Sequence, residues 1–377
     1  MSGFSRYVKK TLAGCDKILL LLCIAASACG LVLVYSATAS FGSQSAFQTQ
    51  CICAALGVIA FAAATFVDME RLRRFWPLIA LVNVVLQILP LFFGSSEGSN
   101  RGWIRFWGMG LQPAEIGKLL FILSFSAHLY SLGEDNSSCL SVLGLVAHWG
   151  ITAGLVIVCS RDDGMALAYV FIGLFLCFMA GVKYRWFLLA GASLAVAAPY
   201  AWRYLLDTYQ KLRILVIFDP SLDPDKAYQA NQTRKAIGSG LLSGSGFMEG
   251  RLTQNSLIPT KHTDAIFAVA GEEFGFIGTF AVMAVLTLLI LRCGITAART
   301  QGHVSSLVCA GLAGMLIFQT VLNIGMNIGV LPVIGLTLPF ISYGGSSLVT
   351  MFAAVGIAAG ARLHCTKRDP LGGYYER

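Results

Sequence analysis

Ten stretches of the chain are nearly unbroken runs of apolar side chains, at about 18–38, 48–67, 75–93, 113–132, 140–159, 164–182, 186–202, 265–291, 304–327 and 344–363. Each approaches the ~20 apolar residues that a helix needs to cross a bilayer core. Several contain Gly or Pro, which membrane helices tolerate better than soluble ones. The pattern predicts an all-α polytopic membrane protein with about ten transmembrane helices, built as a single domain over residues 1–377. The run from Ile18 has no small-residue cleavage site behind it, so it reads as a span rather than a removed signal.

The polar stretches between runs are short, with one exception. Residues 203–263 run for 61 positions and hold 13 charged residues. They predict one large extracytoplasmic loop between helices 7 and 8, and a loop of that length is often functional. Its first part, Trp202–Ile217, mixes aromatic, aliphatic and basic residues as an interfacial amphipathic helix does. Its later part, Ala236–Gly250, reads AIGSGLLSGSGFMEG. Two readings fit that segment: a flexible surface loop, or backbone that glycine allows to approach a ligand closely.

Composition sharpens the class. Apolar residues make up 56% of the chain and charged residues only 12%, with a mean hydropathy of +0.72. A soluble domain carries roughly 25% charged residues, so disorder, coiled coil and most cytosolic enzymes are excluded. The net charge of +8 suggests membrane topology rather than nucleic acid, because basic residues collect in cytoplasmic loops. With the N-terminus inside, the inside segments hold Arg6, Lys9, Lys10, Lys17, Arg71, Arg73, Arg74, Lys183, Arg185, Arg292, Arg299, Arg362, Lys367, Arg368 and Arg377. The short outside loops hold Arg101, Arg105 and Arg161. Both termini are therefore expected in the cytoplasm. The 11 cysteines form no disulfide pattern, and no CxxC or His/Cys spacing predicts a metal site built by the protein alone.

Four polar clusters border the apolar runs. In Asn100–Lys118, NRGWIRFWGMGLQPAEIGK, Pro113 suits the first position of a helix. Glu115 then falls in the first turn, favoured by the helix dipole, and Lys118 shares its face three residues on. A helix start with a local ion pair accounts for this. So does a polar site at the outer membrane face, where Arg101, Arg105 and Lys118 match a diphosphate or anionic headgroup. Trp103 and Trp107 read as interface anchors. In Ile258–Gly278, IPTKHTDAIFAVAGEEFGFIG, Thr263 and Asp264 stand where the long loop meets an apolar helix. Either suits an N-cap. Alternatively Asp264, beside Lys261 and His262, suits a general base at a membrane-edge cavity. Glu272 and Glu273 lie about two turns deeper, where an acid facing lipid costs roughly 2.5–3.5 kcal/mol. They are expected to face the bundle interior or a partner.

The third cluster, Asn323–Leu348, NIGMNIGVLPVIGLTLPFISYGGSSL, carries Asn323, Asn327, Ser342, Tyr343, Ser346 and Ser347. Pro332 and Pro339 exclude one continuous helix. Broken backbone at membrane depth survives only where protein or a wet cavity satisfies it, so a re-entrant or cavity-lining loop is expected. In the fourth, SRDDGMA at Ser160–Ala166, Asp162 and Asp163 read as exposed loop charge, too few to define a metal site. His128 and His148 read as packed, hydrogen-bonded histidines.

The string LPFISYGGSSL closely resembles the signature of the SEDS family, the cell-shape, division and sporulation proteins RodA, FtsW and SpoVE. QPAEIGK at Gln112–Lys118 resembles that family's QPSE-x-x-K. HTDAIFAVAGEEFGFIG at His262–Gly278 resembles its HTDFIFAVIGEELGFIG, and AIGSGLLSGSG its AIGSGGLFGKG. The departures are local. Gly102, not Arg, precedes Trp103; RDDGMA replaces PDLGTA; Ala265 replaces Phe; and Leu241 replaces Gly. The resemblance spans nearly the whole chain, and its short N-terminal tail and compact length are closer to the elongation type, RodA.

The resemblance implies a peptidoglycan glycosyltransferase of the bacterial cell membrane. Such an enzyme polymerises lipid II into β-1,4-linked strands, releases undecaprenyl diphosphate, and works with a class B penicillin-binding protein, a transpeptidase. The family's essential acid falls on Asp264, and its QPSE glutamate and lysine on Glu115 and Lys118. Substrate-binding roles are then expected for Arg101, Trp103, Gln112, His262, Ser342, Tyr343, Ser346 and Lys235. Inversion at the sugar carbon needs a base for the acceptor hydroxyl and positive charge at the leaving diphosphate, which Arg101, Lys118, Arg234 or Lys235, or a divalent cation such as Mg or Mn, would supply. Two rivals remain: a lipid II flippase or other transporter, with polar residues expected near the midplane, and a non-catalytic scaffold of the cell-wall complex.

Overall fold

The computed structural model describes residues 11, 13–40, 42, 44–97, 100–106 and 109–365. Arg6, Lys9, Lys10, Lys367, Arg368, Arg377 and Trp107 lie outside them. Helices occupy all ten predicted positions. In chain order they begin α1 Lys17–Ala39, α2 Ser45–Ala64, α3 Met69–Phe93, α4 Pro113–Leu132, α5 Cys139–Leu155, α6 Asp163–Met179 and α7 Tyr184–Tyr200. The long loop adds α8 Thr208–Phe218, α9 Pro224–Ser239 and α10 Arg251–Gln254, and α11 Ile266–Arg299, α12 His303–Asn327 and α13 Gly345–Cys365 complete the chain. Among the described residues, eight helices are long and apolar enough to cross a membrane. The other two predicted spans, α6 and α7, are helices of 17 residues each, at the lower bound of spanning length.

The 61-residue segment is thus mostly helical. The amphipathic reading of Trp202–Ile217 falls on α8, which opens with a reciprocal capping box between Asp207 and Gln210. The chain before α4 also departs from helix: β1 Ser95–Glu97, β2 Asn100–Phe106 and β3 Met109–Leu111 form an antiparallel sheet in the order β1-β2-β3.

Small residues bring the helices together, as they do where no hydrophobic force drives helices out of lipid. On α13, Gly356 and Gly360 sit one GxxxG step apart, and Cβ atoms there would stand 2.4 Å from the carbonyl oxygen of Phe61 on α2 and 2.3 Å from that of Thr65, its C-cap. Helix ends are tied by side chains. Asp16 caps α1 and pairs with Arg292 of α11 at 2.8 Å. Glu70 accepts from the Ser305 amide and hydroxyl in the first turn of α12. His128 and His148 do pack as expected: their Nδ1 atoms are 3.2 Å apart, and Trp76 stacks on His128.

The glycine-rich segment is held, not loose. Helix α11 breaks at Gly275 (φ 62°, ψ −155°), a conformation open to glycine because it lacks a Cβ. The break leaves backbone groups on either side without intrahelical partners. Ser245 and Gly246 donate to the carbonyls of Glu272 and Glu273, while Phe276 and Ile277 donate to those of Leu241 and Leu242. Gly240 lies so close to α11 that a Cβ would fall 1.8 Å from the Gly271 carbonyl oxygen. The close approach therefore serves a broken helix. Leu241, where the resembling pattern has Gly, adopts φ 48°.

Glu272 and Glu273 are both buried. The Glu272 carboxylate accepts from the amides of Leu252 and Thr253 at 2.7 and 2.9 Å and from the Thr253 hydroxyl at 2.7 Å. Glu273 accepts from Ser36 and Gln254. The pair anchors α10 to α11 and α1. Glu272→Ala strands these donors at about 1–3 kcal/mol each, so a thermal melt in detergent should fall by several degrees, with Glu272→Gln milder. A melt for Glu272→Ala equal to wild type would contradict this anchor.

Candidate active site at the helix ends

Three successive backbone carbonyls fix the turn before α11. Tyr343 N–H donates to His262 O at 2.8 Å. Ser342 Oγ donates to Thr263 O at 2.6 Å while accepting from Leu338 N. Asn323 and Asn327 both donate to Asp264 O, at 3.0 and 2.9 Å. Gln50 clamps the same loop through Ser342 O and Gly344 N. The broken segment after α12 is thus satisfied by protein, and it braces the Asp264 turn. The capping alternative for Thr263 and Asp264 fails: the N-cap position of α11 is Ala265, with no side-chain cap. The Asp264 carboxylate is therefore not spent on α11.

That carboxylate lies against Gly335: its Oδ2 is 3.7 Å from where a Cβ would stand. The neighbouring Ile334 carbonyl oxygen lies 2.5 Å from the missing Cβ of Gly164, which in turn is 3.5 Å from Asp162 Oδ1. Residues 334–335 thus run past both acids. Asp162 corrects the sequence reading. It is 3% exposed, because it caps α6 through Met165 N at 2.9 Å and is held on its other oxygen by Gln112 Nε2 at 3.1 Å. Asp163 alone stays exposed, accepting from Gln210 of α8. Burial, then the charge of Asp162, push the Asp264 carboxyl up to about 6. Burial also pushes Asp162 up to about 6; the Met165 amide opposes this, Glu115 adds to it and Lys118 opposes it.

Glu115 and Lys118 pair at 3.0 Å and are both buried. Among the described residues no further hydrogen bond reaches Glu115 Oε2 or Lys118 Nζ. Beside them Gln87 donates to Asn83 and Tyr169, and Tyr169 to Ala114 O. A Cβ on Gly117 would fall 1.9 Å from Gln87 Nε2, so the backbone of α4 lies directly on this network. On the other side, burial pushes the Lys261 ammonium below its ordinary range, opposed by Glu273 and Glu272. Lys261 donates to Thr253 O, Ser256 and Ser40, at the end of α1. Burial and the charge of Lys261 also lower His262.

The structure gathers Asp264, His262, Ser342 and Tyr343, and joins Gln112 and Ser346 to them through a 3.3 Å bond from Gln112 N to Ser346 Oγ. The Glu115–Lys118 pair joins through Asp162. Trp103 is half-buried, its ring 2.9 Å from a Cβ position on Gly110. Arg101 on β2 and Lys235 on α9 are exposed, and among the described residues no hydrogen bond ties either to the cluster. Sequence reasoning missed Asp162; the available signal was its place as an N-cap three residues before Met165. It also missed Gly335.

The starts of α4, α6, α11 and α13 meet here, presenting positive dipole ends to an anion. Against them stand two repelling carboxylates. Oxygen donors of this kind suit Mg²⁺, which is commonly held by one or two carboxylates plus substrate phosphates. Among the described residues, no group of three or more His, Cys, Asp or Glu forms a complete cage.

Fold and site together define a polytopic helical membrane protein with a cluster of buried acids at the helix ends rather than the middle of the bundle. The chain belongs to the FtsW/RodA/SpoVE family of cell cycle proteins, whose profile matches residues 16–367. It is 32% identical over 319 residues to the peptidoglycan glycosyltransferase MrdB of Escherichia coli strain K12, covering 82% of this chain and 85% of that one. It is 34% identical over 361 residues to the probable peptidoglycan glycosyltransferase FtsW of Thiomicrospira cyclica, covering 91% and 90%. Its fold matches a chain of a solved peptidoglycan synthase complex that coordinates polymerization and crosslinking (TM-score 0.81, 28% identity, 94% and 99% covered). It also matches the rod shape determining protein RodA of Thermus thermophilus (TM-score 0.69, 25% identity, 93% and 97% covered).

Proposed function

We propose that this chain is a peptidoglycan glycosyltransferase that polymerises lipid II with Asp264 as general base. The observation that carries this reading is the convergence of Asp264 with Asp162 and the Glu115–Lys118 pair where helices end. A transporter would set its polar groups near the midplane. Asp264 takes the proton of the acceptor sugar hydroxyl. The hydroxyl oxygen bonds to the donor's anomeric carbon from the face opposite the diphosphate, and the bond to the diphosphate breaks, giving inversion. The helix starts and Lys118 favour the departing negative charge. A divalent cation carried by the substrate's own diphosphate would supply further charge there. The site then faces outward, both termini lie in the cytoplasm, and the partner is a class B transpeptidase.

A base works ionised, and a carboxyl titrating at about 6 is progressively protonated as pH falls through that value. Polymerisation should therefore be maximal above pH 7 and decline below 6. Asp162→Asn removes a repelling charge, so it should move this acid limb to lower pH. Initial rates from pH 5 to 8 at fixed magnesium test both statements; an upward shift in Asp162→Asn contradicts them.

A further inference from the structure

We propose that a cleft between α8, α9 and residues 329–333 binds the peptide arm of the substrate by its carboxylates. This rests on the polymerase reading and goes beyond it: the cleft holds neither Asp162, Asp264 nor the Glu115–Lys118 pair, and its Arg234, one of the cations the sequence offers for the diphosphate, is assigned here to the peptide instead. It encloses about 230 Å³, below the ~300–1,000 Å³ of sites that swallow a whole drug-sized ligand. It therefore takes one limb of a larger molecule.

The lining is specific in its chemistry. Arg213 of α8 and Arg234 of α9 bring two guanidinium groups, Asp225 one carboxylate, and Gln229 and Asn231 two amides. Guanidinium forks match carboxylates in shape and charge, the single acid matches an amine, and side-chain amides both donate to and accept from peptide groups. The disaccharide unit of lipid II, the substrate in the reading above, bears a five-residue peptide, and such a peptide with free carboxylates and one amine carries this same set. Residues 331–333 add an apolar wall suited to short alkyl side chains.

Arg234 is placed with care. Its Nη2 donates to Gly329 O at 3.1 Å. A Cβ on Gly329 would fall 1.9 Å from Arg234 Nε, so the guanidinium lies flat on that backbone. Its Nε is sealed against the Gly329 backbone and has no hydrogen-bond partner among the described residues, so the side chain is held in one place at the cleft wall.

The cleft and the reaction centre share a wall. The segment that lines the cleft at 329–333 continues to Gly335, whose backbone abuts the Asp264 carboxylate. The two steps from Val333, on the cleft wall, to Gly335 cover at most about 7 Å, and an extended five-residue peptide about 17 Å. One molecule can thus place its reacting sugar at Asp264 and its peptide arm in the cleft.

The diphosphate is the other anionic source for two arginines, and substrate variants separate it from the peptide. The purified full chain with its transpeptidase partner is given three lipid II forms with identical diphosphates: the complete pentapeptide, the pentapeptide with amidated carboxylates, and a stem truncated to two residues. The expected result is a kcat/KM about tenfold lower for the amidated and truncated forms. Arg213→Gln should lower kcat/KM for the complete form about tenfold, so that the ratio among the three approaches one. Equal wild-type kcat/KM for all three overturns the inference without any variant. An Arg213→Gln loss of equal size on every form also overturns it, assigning the cleft to the diphosphate. If wild type makes no strand from any form, the polymerase reading itself fails.

Discussion

Asp264→Asn should abolish strand synthesis while leaving the fold intact. General bases contribute typically 10²–10⁴ in rate, and an asparagine of the same shape cannot accept the hydroxyl proton. The turn is held through the backbone carbonyls of His262, Thr263 and Asp264, none of which the substitution touches. The folded protein binds the Asp264 proton more tightly than an unfolded chain, with its carboxyl raised from 3.8 to about 6. The stability gained from that proton is complete below the unfolded value and lost as pH rises through 6. At neutral pH the asparagine therefore removes an unfavourable desolvated charge, and the thermal melt should be no lower than wild type. Polymer yield by gel and a melt in the same detergent check the two halves. Activity within tenfold of wild type would refute the base assignment.

Lys118→Met should be the most destabilising single change in the site. Lys118 and Glu115 are 0% and 2% exposed and face one another at 3.0 Å. Removing one partner of a buried pair costs about 3–5 kcal/mol, because the other charge is left in a low dielectric. Asp162 would also lose a nearby positive charge that opposes its raised pKa. The variant is expected to accumulate poorly in membranes and to melt well below wild type. Lys118→Met with Glu115→Gln should regain most of the loss, since both charges leave together. A single variant as stable as wild type would show that the pair is not built as described.

Much of this site was legible because polar residues stand out in apolar helices. Pro113 starts α4 where expected, and Glu115 and Lys118 pair at the expected spacing. The two prolines after α12 foretold broken backbone. The sequence did not reveal what that backbone grips, since Asn323 and Asn327 act on the single Asp264 carbonyl, 59 and 63 positions away. Asp162 was misread for a related reason: an acid in a short loop is usually solvated, whereas here the Met165 amide and the distant Gln112 side chain hold it inside. The glycine-rich run was ambiguous because the helix break it repairs lies some thirty residues on, at Gly275. Hydropathy placed ten helices, yet it does not tell a lipid-facing apolar side from one packed in the bundle.

The central claim is that the cluster around Asp264 makes glycosidic bonds. Wild-type chain reconstituted with lipid II in vesicles, free of any other polymerase, tests it most directly by following products. Lengthening glycan strands with one undecaprenyl diphosphate released per linkage is the predicted result; lipid II that crosses the bilayer unpolymerised would contradict it.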